Sequence, residues 1–170
     1  MVTRMEWSEV FRAVITSLRE ELPRDLREVH WKSAGSQAKA WYGNSAIHYE
    51  IWVRRSARVV EIGLHFEADD LTNARLLGAF RSRRREVERA LGPDARIEEW
   101  DKGWTRVWEP FSVDDPALGE RVRSRFVGYV RALEPILREE LPEDVPWTLA
   151  EATTEPKAPT SPRRSRSARR

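Results

Sequence analysis

The chain has 170 residues, 40% of them hydrophobic and 34% charged, and it contains no cysteine. This length fits one domain with a core of its own, and the missing thiols exclude disulfides, thiolate metal sites and cysteine nucleophiles. The sequence shows no secretory signal pattern and no apolar run near the ~18 residues of a membrane span. We therefore expect a cytoplasmic protein that does not contact membranes.

The positive charge is concentrated at the C-terminal end of the chain. Of the 30 basic and 28 acidic residues, six basic and two acidic ones lie in residues 151–170, which leaves 24 basic and 26 acidic residues in the rest. We predict a single α+β domain over residues 1–145 and a disordered tail, rich in Pro, Ser and Arg, over residues 146–170. The folded part is slightly acidic, so it has no general electrostatic attraction to nucleic acid.

Three segments show the apolar spacing of helices. The first helix is predicted over residues 3–22 and ends before Pro23. A second helix is predicted over residues 69–91, where two aspartates can cap its start and Gly-Pro follows its end. A third and longer helix is predicted over residues 114–141, after an acidic start with proline in the first turn.

Residues 46–67 contain two runs of alternating apolar and polar residues on either side of Ser56-Ala57. A β-hairpin with its turn there brings all the apolar residues of both runs onto one face. The predicted apolar pairs are Ile47 with Phe66, Tyr49 with Leu64, Ile51 with Ile62, and Val53 with Val60. We expect this face of the hairpin to form the core.

A second hairpin is predicted over residues 95–111, with Glu99 facing Arg106 and Ile97 beside Trp108. Residues 24–45 show a weaker pattern that fits either a turn or an extra pair of strands. Each helix and each strand has one apolar side. The sequence therefore predicts an α+β fold, with an antiparallel sheet built from two hairpins, helices packed on one face and a long C-terminal helix.

The polar face of the first hairpin contains the motif H-x-E twice. His48 lies opposite His65, Glu50 shares their face, and Glu67 follows one step beyond on the neighbouring strand. Two imidazoles and a carboxylate can bind a divalent transition metal, so His48, His65 and Glu50 form a candidate metal site. The alternative is a structural or partner-binding polar face, on which such pairs occur without any ion.

Arginines form two candidate surfaces for nucleic acid. In the second helix Arg81, Arg85 and Arg89 recur every four residues, outside the apolar stripe. In the tail the candidates are Arg163, Arg164 and Arg166. The alternatives are a solvated helix face, where the arginines pair with interleaved glutamates, and a tail that only aids solubility.

Sequence motifs of catalysis are absent from the domain. The chain has no Gly-rich phosphate loop, no G-x-S-x-G elbow, no H-E-x-x-H helix and no dinucleotide fingerprint. A nuclease-like E-x-K triplet occurs only in the tail, at Glu155-Pro156-Lys157. We therefore predict no catalytic residue and no cofactor, and an enzyme is the less favoured class.

The pattern over residues 7–141 resembles a bacterial domain family of unassigned function. The similarity lies in the order of elements, the HYEIWVRR/RVVEIGLHFE hairpin, the helix end RALG, the strand IEEW and the closing helix that ends in EPIL. Members of that family often stand beside restriction-endonuclease-like nuclease domains, and the resemblance implies an accessory domain without catalytic residues to transfer. Our leading hypothesis is a non-enzymatic interaction module that binds an unknown protein or a second copy of itself. Nucleic-acid binding and a metal-dependent enzyme are the alternatives.

Overall fold

The computed structural model of the protein describes residues 6–141 and residue 143. Within this part of the chain, six strands form one antiparallel sheet and four α-helices accompany it, which confirms the α+β class and the long C-terminal helix. The predicted boundary near residue 145 and the tail over residues 146–170 lie outside the described residues. None of the described helices is both long enough and apolar enough to span a membrane.

The strands follow one another in the sheet in the order β1-β2-β3-β4-β6-β5, so only the neighbours β4 and β6 are not consecutive in the chain. In chain order the elements are α1 (Trp7–Glu21), a 3-10 turn (Arg24–Leu26), β1 (His30–Ala34), β2 (Gln37–Trp41), β3 (Ile47–Arg54), β4 (Val59–Phe66), α2 (Asp70–Ser82), α3 (Arg84–Leu91), β5 (Arg96–Glu99), β6 (Thr105–Ser112) and α4 (Leu118–Glu140).

The central hairpin has the register that alternation predicted. Ile51 lies opposite Ile62, His48 lies opposite His65, and the chain turns where Arg58 N–H donates to the carbonyl of Arg55 at 3.2 Å. For residues 24–45 the sequence allowed either a turn or an extra pair of strands. The structure has the pair of strands, as the hairpin of β1 and β2. Strands β1 to β4 therefore form an antiparallel meander, which adds two strands to the two hairpins on which the prediction was based.

The predicted register of the hairpin formed by β5 and β6 was wrong by one residue. Glu98, and not Glu99, lies opposite Arg106, because the loop has three residues instead of two. Trp100 N–H donates to the carbonyl of Trp104 at 2.7 Å, which closes the pair around Asp101-Lys102-Gly103. A shift of one residue exchanges the two faces of a strand.

This shift changes which residues of β5 face the core. Ile97 pairs with Val107 on the apolar face, whereas the prediction placed it beside Trp108. Trp108 instead faces Arg96 on the polar side. Positive φ angles at Lys102 (56°) and Gly103 (78°) allow the three-residue loop, since loops of this length commonly contain a residue in the left-handed conformation.

The helix predicted over residues 69–91 is divided in two at Arg83. Asp69 caps α2 as expected, since its carboxylate accepts the N–H of Thr72 at 3.0 Å. The guanidinium of Arg83 pairs with Glu86 at 2.8 Å and with Glu139 of α4 at 2.6 Å, so the break anchors α3 to α4. The longest helix, α4, begins at Leu118 and includes Pro135.

The helices pack on the apolar face of the sheet. Phe66 of β4 meets Phe80 of α2 with ring centroids 5.4 Å apart, and Tyr49 of β3 meets Phe126 of α4 at 6.4 Å. Ile62 at the centre of the sheet has no exposed surface. This packing leaves the polar residues of the strands on the opposite face, where the candidate site lies.

Candidate metal centre

The middle of the polar face of the sheet is buried. His48, Glu50, Glu61, His65 and Arg106 are each less than 5% exposed. Alternation predicted the common face of the four residues on β3 and β4 but not their burial, because a period-2 pattern of polar residues is typical of a face in contact with water. Buried polar groups are costly unless they are paired, so their contacts decide what the face can do.

Tryptophan side chains cover part of this face. The ring of Trp100, just after β5, meets His65 edge-on with centroids 5.3 Å apart and also meets Trp52 of β3 at 6.1 Å. Here they pack over titratable groups, which removes water from the imidazole of His65.

His48 and His65 lie side by side in the middle of the sheet. Their rings stack with centroids 5.6 Å apart and planes within 11° of parallel. The cross-strand register produces this arrangement, because directly opposed residues of an antiparallel pair project to the same side. The structure thus brings together the two histidines that the H-x-E motifs singled out.

The hydrogen bonding of His48 defines which of its nitrogens can bind a ligand. Its Nδ1 lies 2.9 Å from the carbonyl oxygen of Ser45, an acceptor, so Nδ1 carries the proton. In the neutral ring, Nε2 then has a free lone pair. This Nε2 is buried and has no hydrogen-bond partner within the described chain. It lies 3.5 Å from Oε2 of Glu50 and 3.9 Å from Oε1 of Glu67.

His65 directs a second nitrogen without a hydrogen bond toward the same carboxylate oxygen of Glu67. Its Nδ1 is buried, lacks a hydrogen-bond partner among the described residues, and lies 3.5 Å from Oε1 of Glu67. One carboxylate oxygen of Glu67 therefore lies within 4 Å of an unbonded nitrogen of each histidine. The sequence placed Glu67 one step beyond the site, yet the end of β4 brings it to the centre.

The three groups have the spacing of metal ligands. One donor atom from each of His48, His65 and Glu67 lies within 4.8 Å of the other two. Ligand atoms bound tetrahedrally to zinc at ~2.1 Å are about 3.4 Å apart, so the separations of 3.5 and 3.9 Å need only small side-chain movements to match. The donors are two imidazole nitrogens and one carboxylate oxygen.

Glu50, the carboxylate that the sequence assigned to the site, is held by a lysine. Lys39 of β2 lies opposite Glu50 in the sheet, and its Nζ is 2.9 Å from Oε2 of Glu50 and 3.9 Å from Glu67. Glu50 is therefore adjacent to the donor set and compensated by an ammonium group. The sequence could not point to Lys39, because its strand lay in the segment with the weakest pattern.

The ionisation of these groups suits metal binding. Burial alone would raise the pKa of Glu50, but contacts with His48, His65 and Lys39 outweigh it and lower the pKa to about 2. The same balance lowers the pKa of Glu67, and burial lowers the pKa of His65. At neutral pH both carboxylates are ionised and the imidazole of His65 is neutral, which are the forms that bind metal.

A second polar cluster adjoins the histidines on the same face. Arg106 lies opposite His65 and donates from Nη1 to Oε2 of Glu61 at 2.8 Å. Its guanidinium lies 3.8 Å from the ring centroid of Trp108 and 4.7 Å from that of Trp100. The sequence missed this cluster because it did not predict the pairing of β4 with β6, and because the predicted register of β5 placed Glu99 opposite Arg106 in place of Glu98.

The arginines proposed for nucleic acid do not form one continuous row. Arg81 belongs to α2 whereas Arg85 and Arg89 belong to α3, and all three are exposed. The pairing predicted by i, i+4 spacing is present between Arg84 and Glu88 at 2.7 Å. The tail candidates Arg163, Arg164 and Arg166 lie outside the described residues.

Comparisons with protein-family models, with curated proteins and with solved structures each found no match to the chain. The resemblance to a nuclease-associated domain family therefore stays a prediction. The function of the chain is therefore inferred from the contacts and charges of its own residues.

Proposed function

We propose that this protein binds a divalent transition-metal ion through Nε2 of His48, Nδ1 of His65 and a carboxylate oxygen of Glu67. One observation carries the proposal: two buried imidazole nitrogens, both without a hydrogen-bond partner in the described chain, face the same carboxylate. This departs from the expectation of a protein without a cofactor. It develops the third of our sequence hypotheses, with Glu67 as the carboxylate ligand.

The cost of the unbonded nitrogens supports this assignment. A buried polar atom without a partner costs about 1–3 kcal/mol, and the two nitrogens bear this cost next to each other. A bound cation would satisfy both lone pairs and the carboxylate at once. The hydrogen bond from Nδ1 of His48 to the carbonyl of Ser45 is the type of outer contact that orients metal-binding histidines.

The donor set narrows the choice of ion. Two imidazoles and one carboxylate suit Zn²⁺ and other late first-row divalent ions, whereas Mg²⁺ and Ca²⁺ prefer oxygen ligands. Three protein ligands leave a coordination position open, which is the arrangement of catalytic zinc sites, whereas structural sites use four. Lys39 favours the open form because it holds Glu50 in an ion pair at 2.9 Å.

Metal titration of the chelator-treated protein tests the proposal. We expect calorimetry to give one Zn²⁺ per chain, and the melting temperature to rise with Zn²⁺ concentration, because a ligand of the folded state stabilises it by mass action. Ni²⁺ and Mn²⁺ should give the same effect at their own affinities.

The chain contains three histidines, which provides a matched control. His30 is exposed on β1, stacks on Trp41 and does not belong to the donor set. His30→Ala should keep the metal response, and the double variant His48→Ala, His65→Ala should lose it while circular dichroism shows an unchanged fold. Glu67→Gln should weaken Zn²⁺ binding by at least about 10- to 100-fold, the loss that follows removal of a mere outer contact, because it removes a ligand. An equal response in wild type and double variant, or none in either, would refute the proposal.

The interaction-module hypothesis and the nucleic-acid hypothesis stay predictions. Within the described residues the only large apolar side chain that is clearly exposed is Leu71, at 58%, so no broad apolar surface favours a particular partner. The nucleic-acid hypothesis depends on exposed arginines and on a tail outside the described residues. The metal proposal alone is supported by contacts that are unusual for a buried face.

A further inference from the structure

A cavity opens beside the metal donors, over the outer hairpin of the sheet. Its volume is about 680 Å³, within the range of sites for small molecules. The residues that line it include Lys32, Gln37, Lys39, Trp41 and Ser45. Two of these also contact the proposed metal ligands or their neighbour: Lys39 reaches Glu50 and Glu67, and the carbonyl of Ser45 accepts from His48. None of the donors lines the cavity, but Lys39 and Ser45 line it and contact Glu67 and His48, so the cavity adjoins the metal centre.

The walls of the cavity are basic and aromatic. Lys32 and Lys39 lie directly opposite each other on β1 and β2, a position in which like charges repel. Lys39 is compensated by Glu50, whereas Lys32 forms no ion pair with any described residue. Trp41 adds a flat apolar wall, and its Nε1 has no hydrogen-bond partner in the described part of the chain.

The charges around this space leave an excess of two positive charges once a metal is bound. A divalent ion and two lysines contribute four positive charges, and Glu50 and Glu67 contribute two negative ones. A doubly charged anion at the open coordination position would balance them. Phosphate monoesters are close to this charge at pH 7.5, since their second pKa is about 6.

We propose that the cavity is the substrate-binding site of the metal centre and that it accepts small phosphate monoesters. The phosphate would take the open position on the metal and contact Lys39 and Lys32, and the organic group would lie against Trp41. This inference rests on the proposed metal site. It adds the chemical class of the ligand and the residues that select it.

Calorimetry on the Zn²⁺-loaded full chain tests the inference with phenyl phosphate and phenyl sulfate as probes. Both carry the same ring, but the sulfate ester has a single negative charge. We expect phenyl phosphate to bind at least about tenfold more tightly than phenyl sulfate. Lys32→Met should weaken phenyl phosphate binding about tenfold, because it removes one charge-assisted contact. Lys102→Met removes an exposed lysine at the β5–β6 turn and should leave the affinity unchanged.

The results separate this inference from the metal proposal. Zn²⁺ affinity should be the same in wild type, Lys32→Met and Lys102→Met, because neither lysine is a ligand. Absence of phenyl phosphate binding to Zn²⁺-loaded protein would overturn the inference and leave the metal proposal intact. Equal affinity in Lys32→Met and wild type, or equal affinity with and without Zn²⁺, would also overturn it. Failure of Zn²⁺ to bind at all would overturn both proposals.

Discussion

The hydroxyl group of Tyr49 donates a 2.9 Å hydrogen bond to Oε2 of Glu134, a carboxylate of α4 with no exposed surface. Arg138, one turn further along α4, donates from Nε to the other oxygen at 3.0 Å. These bonds connect the centre of the sheet to the long helix within the core. Burial raises the pKa of Glu134 above its ordinary value of 4.5, although the two hydrogen bonds oppose the shift.

This raised pKa predicts a pH-dependent stability. A carboxyl whose pKa is higher in the folded state contributes stability that is full below the unfolded pKa and is lost as pH rises through the folded pKa. The variant Glu134→Gln has no proton to lose. We therefore expect the unfolding free energy of the wild type to fall, relative to that of Glu134→Gln, as pH is raised from 4.5 toward 8. Urea denaturation across this range measures the difference.

A control separates the effect of Glu134 from general titration. Glu99 is an exposed carboxylate of β5, so Glu99→Gln serves as the control for removing one carboxylate from the surface. A difference between Glu134→Gln and the wild type that stays constant with pH would contradict the raised pKa of Glu134.

Truncation of Ile62 tests the register of the central hairpin. Its side chain is fully buried opposite Ile51, so Ile62→Ala should lower the unfolding free energy by about 2–5 kcal/mol. Leu71 is 58% exposed, and Leu71→Ala should cost no more than about 0.5 kcal/mol. Chemical denaturation of both variants gives the comparison, and similar small losses in the two would contradict the register.

Arg106 and Glu61 form a buried ion pair, and removing one partner should be costly. Arg106→Met leaves the carboxylate of Glu61 in the sheet with only the outer contact from Arg54 at 2.7 Å, so we expect a loss of about 3–5 kcal/mol. The double variant Arg106→Met, Glu61→Gln should recover part of that loss. A double-mutant cycle measured by urea denaturation gives the coupling, and strict additivity would show that the pair is not coupled.

Nucleic-acid binding is predicted to depend on the tail. Deleting residues 151–170 should remove most affinity for a labelled oligonucleotide and flatten its salt dependence, since six basic residues are lost. Fluorescence anisotropy at salt concentrations from about 50 to 200 mM, a range over which such affinity falls steeply, measures the affinity and its salt dependence. If the truncated chain still binds, replacing Arg81, Arg85 and Arg89 together by alanine must weaken it, or the helix hypothesis fails as well.

The sequence predicted the structure best where the alternation of two strands agreed with a short turn between them. In β3 and β4 strict alternation on both sides of a short turn allowed only one pairing that buries every apolar residue, so the opposition of His48 and His65 followed from it. The hairpin of β5 and β6 had poorer alternation, and the number of loop residues decided its register. The residue type of Lys102 does not indicate a positive φ angle. The predicted loop was therefore one residue too short.

The candidate site was predicted in part for the same reasons. Both histidines were identified from their spacing, but neither the contribution of Glu67 nor the depth of burial was. Glu67 lies just beyond β4, where alternation stops being a guide to direction. Burial of the polar face depends on Trp100, whose position follows from the pairing of distant strands, and no local pattern specifies it.

All the proposed donors lie between residues 48 and 67, with His48 and His65 on the two strands of one hairpin and Glu67 directly after the second strand. A hairpin forms in about 1–10 μs, whereas β4 can pair with β6 only after the intervening α2 and α3 have been accommodated. Because synthesis proceeds from the N-terminus, this hairpin would leave the ribosome before α4 is complete. A metal ion captured at that stage would hold β3 and β4 in register, so it would serve as a template on which the later helices assemble.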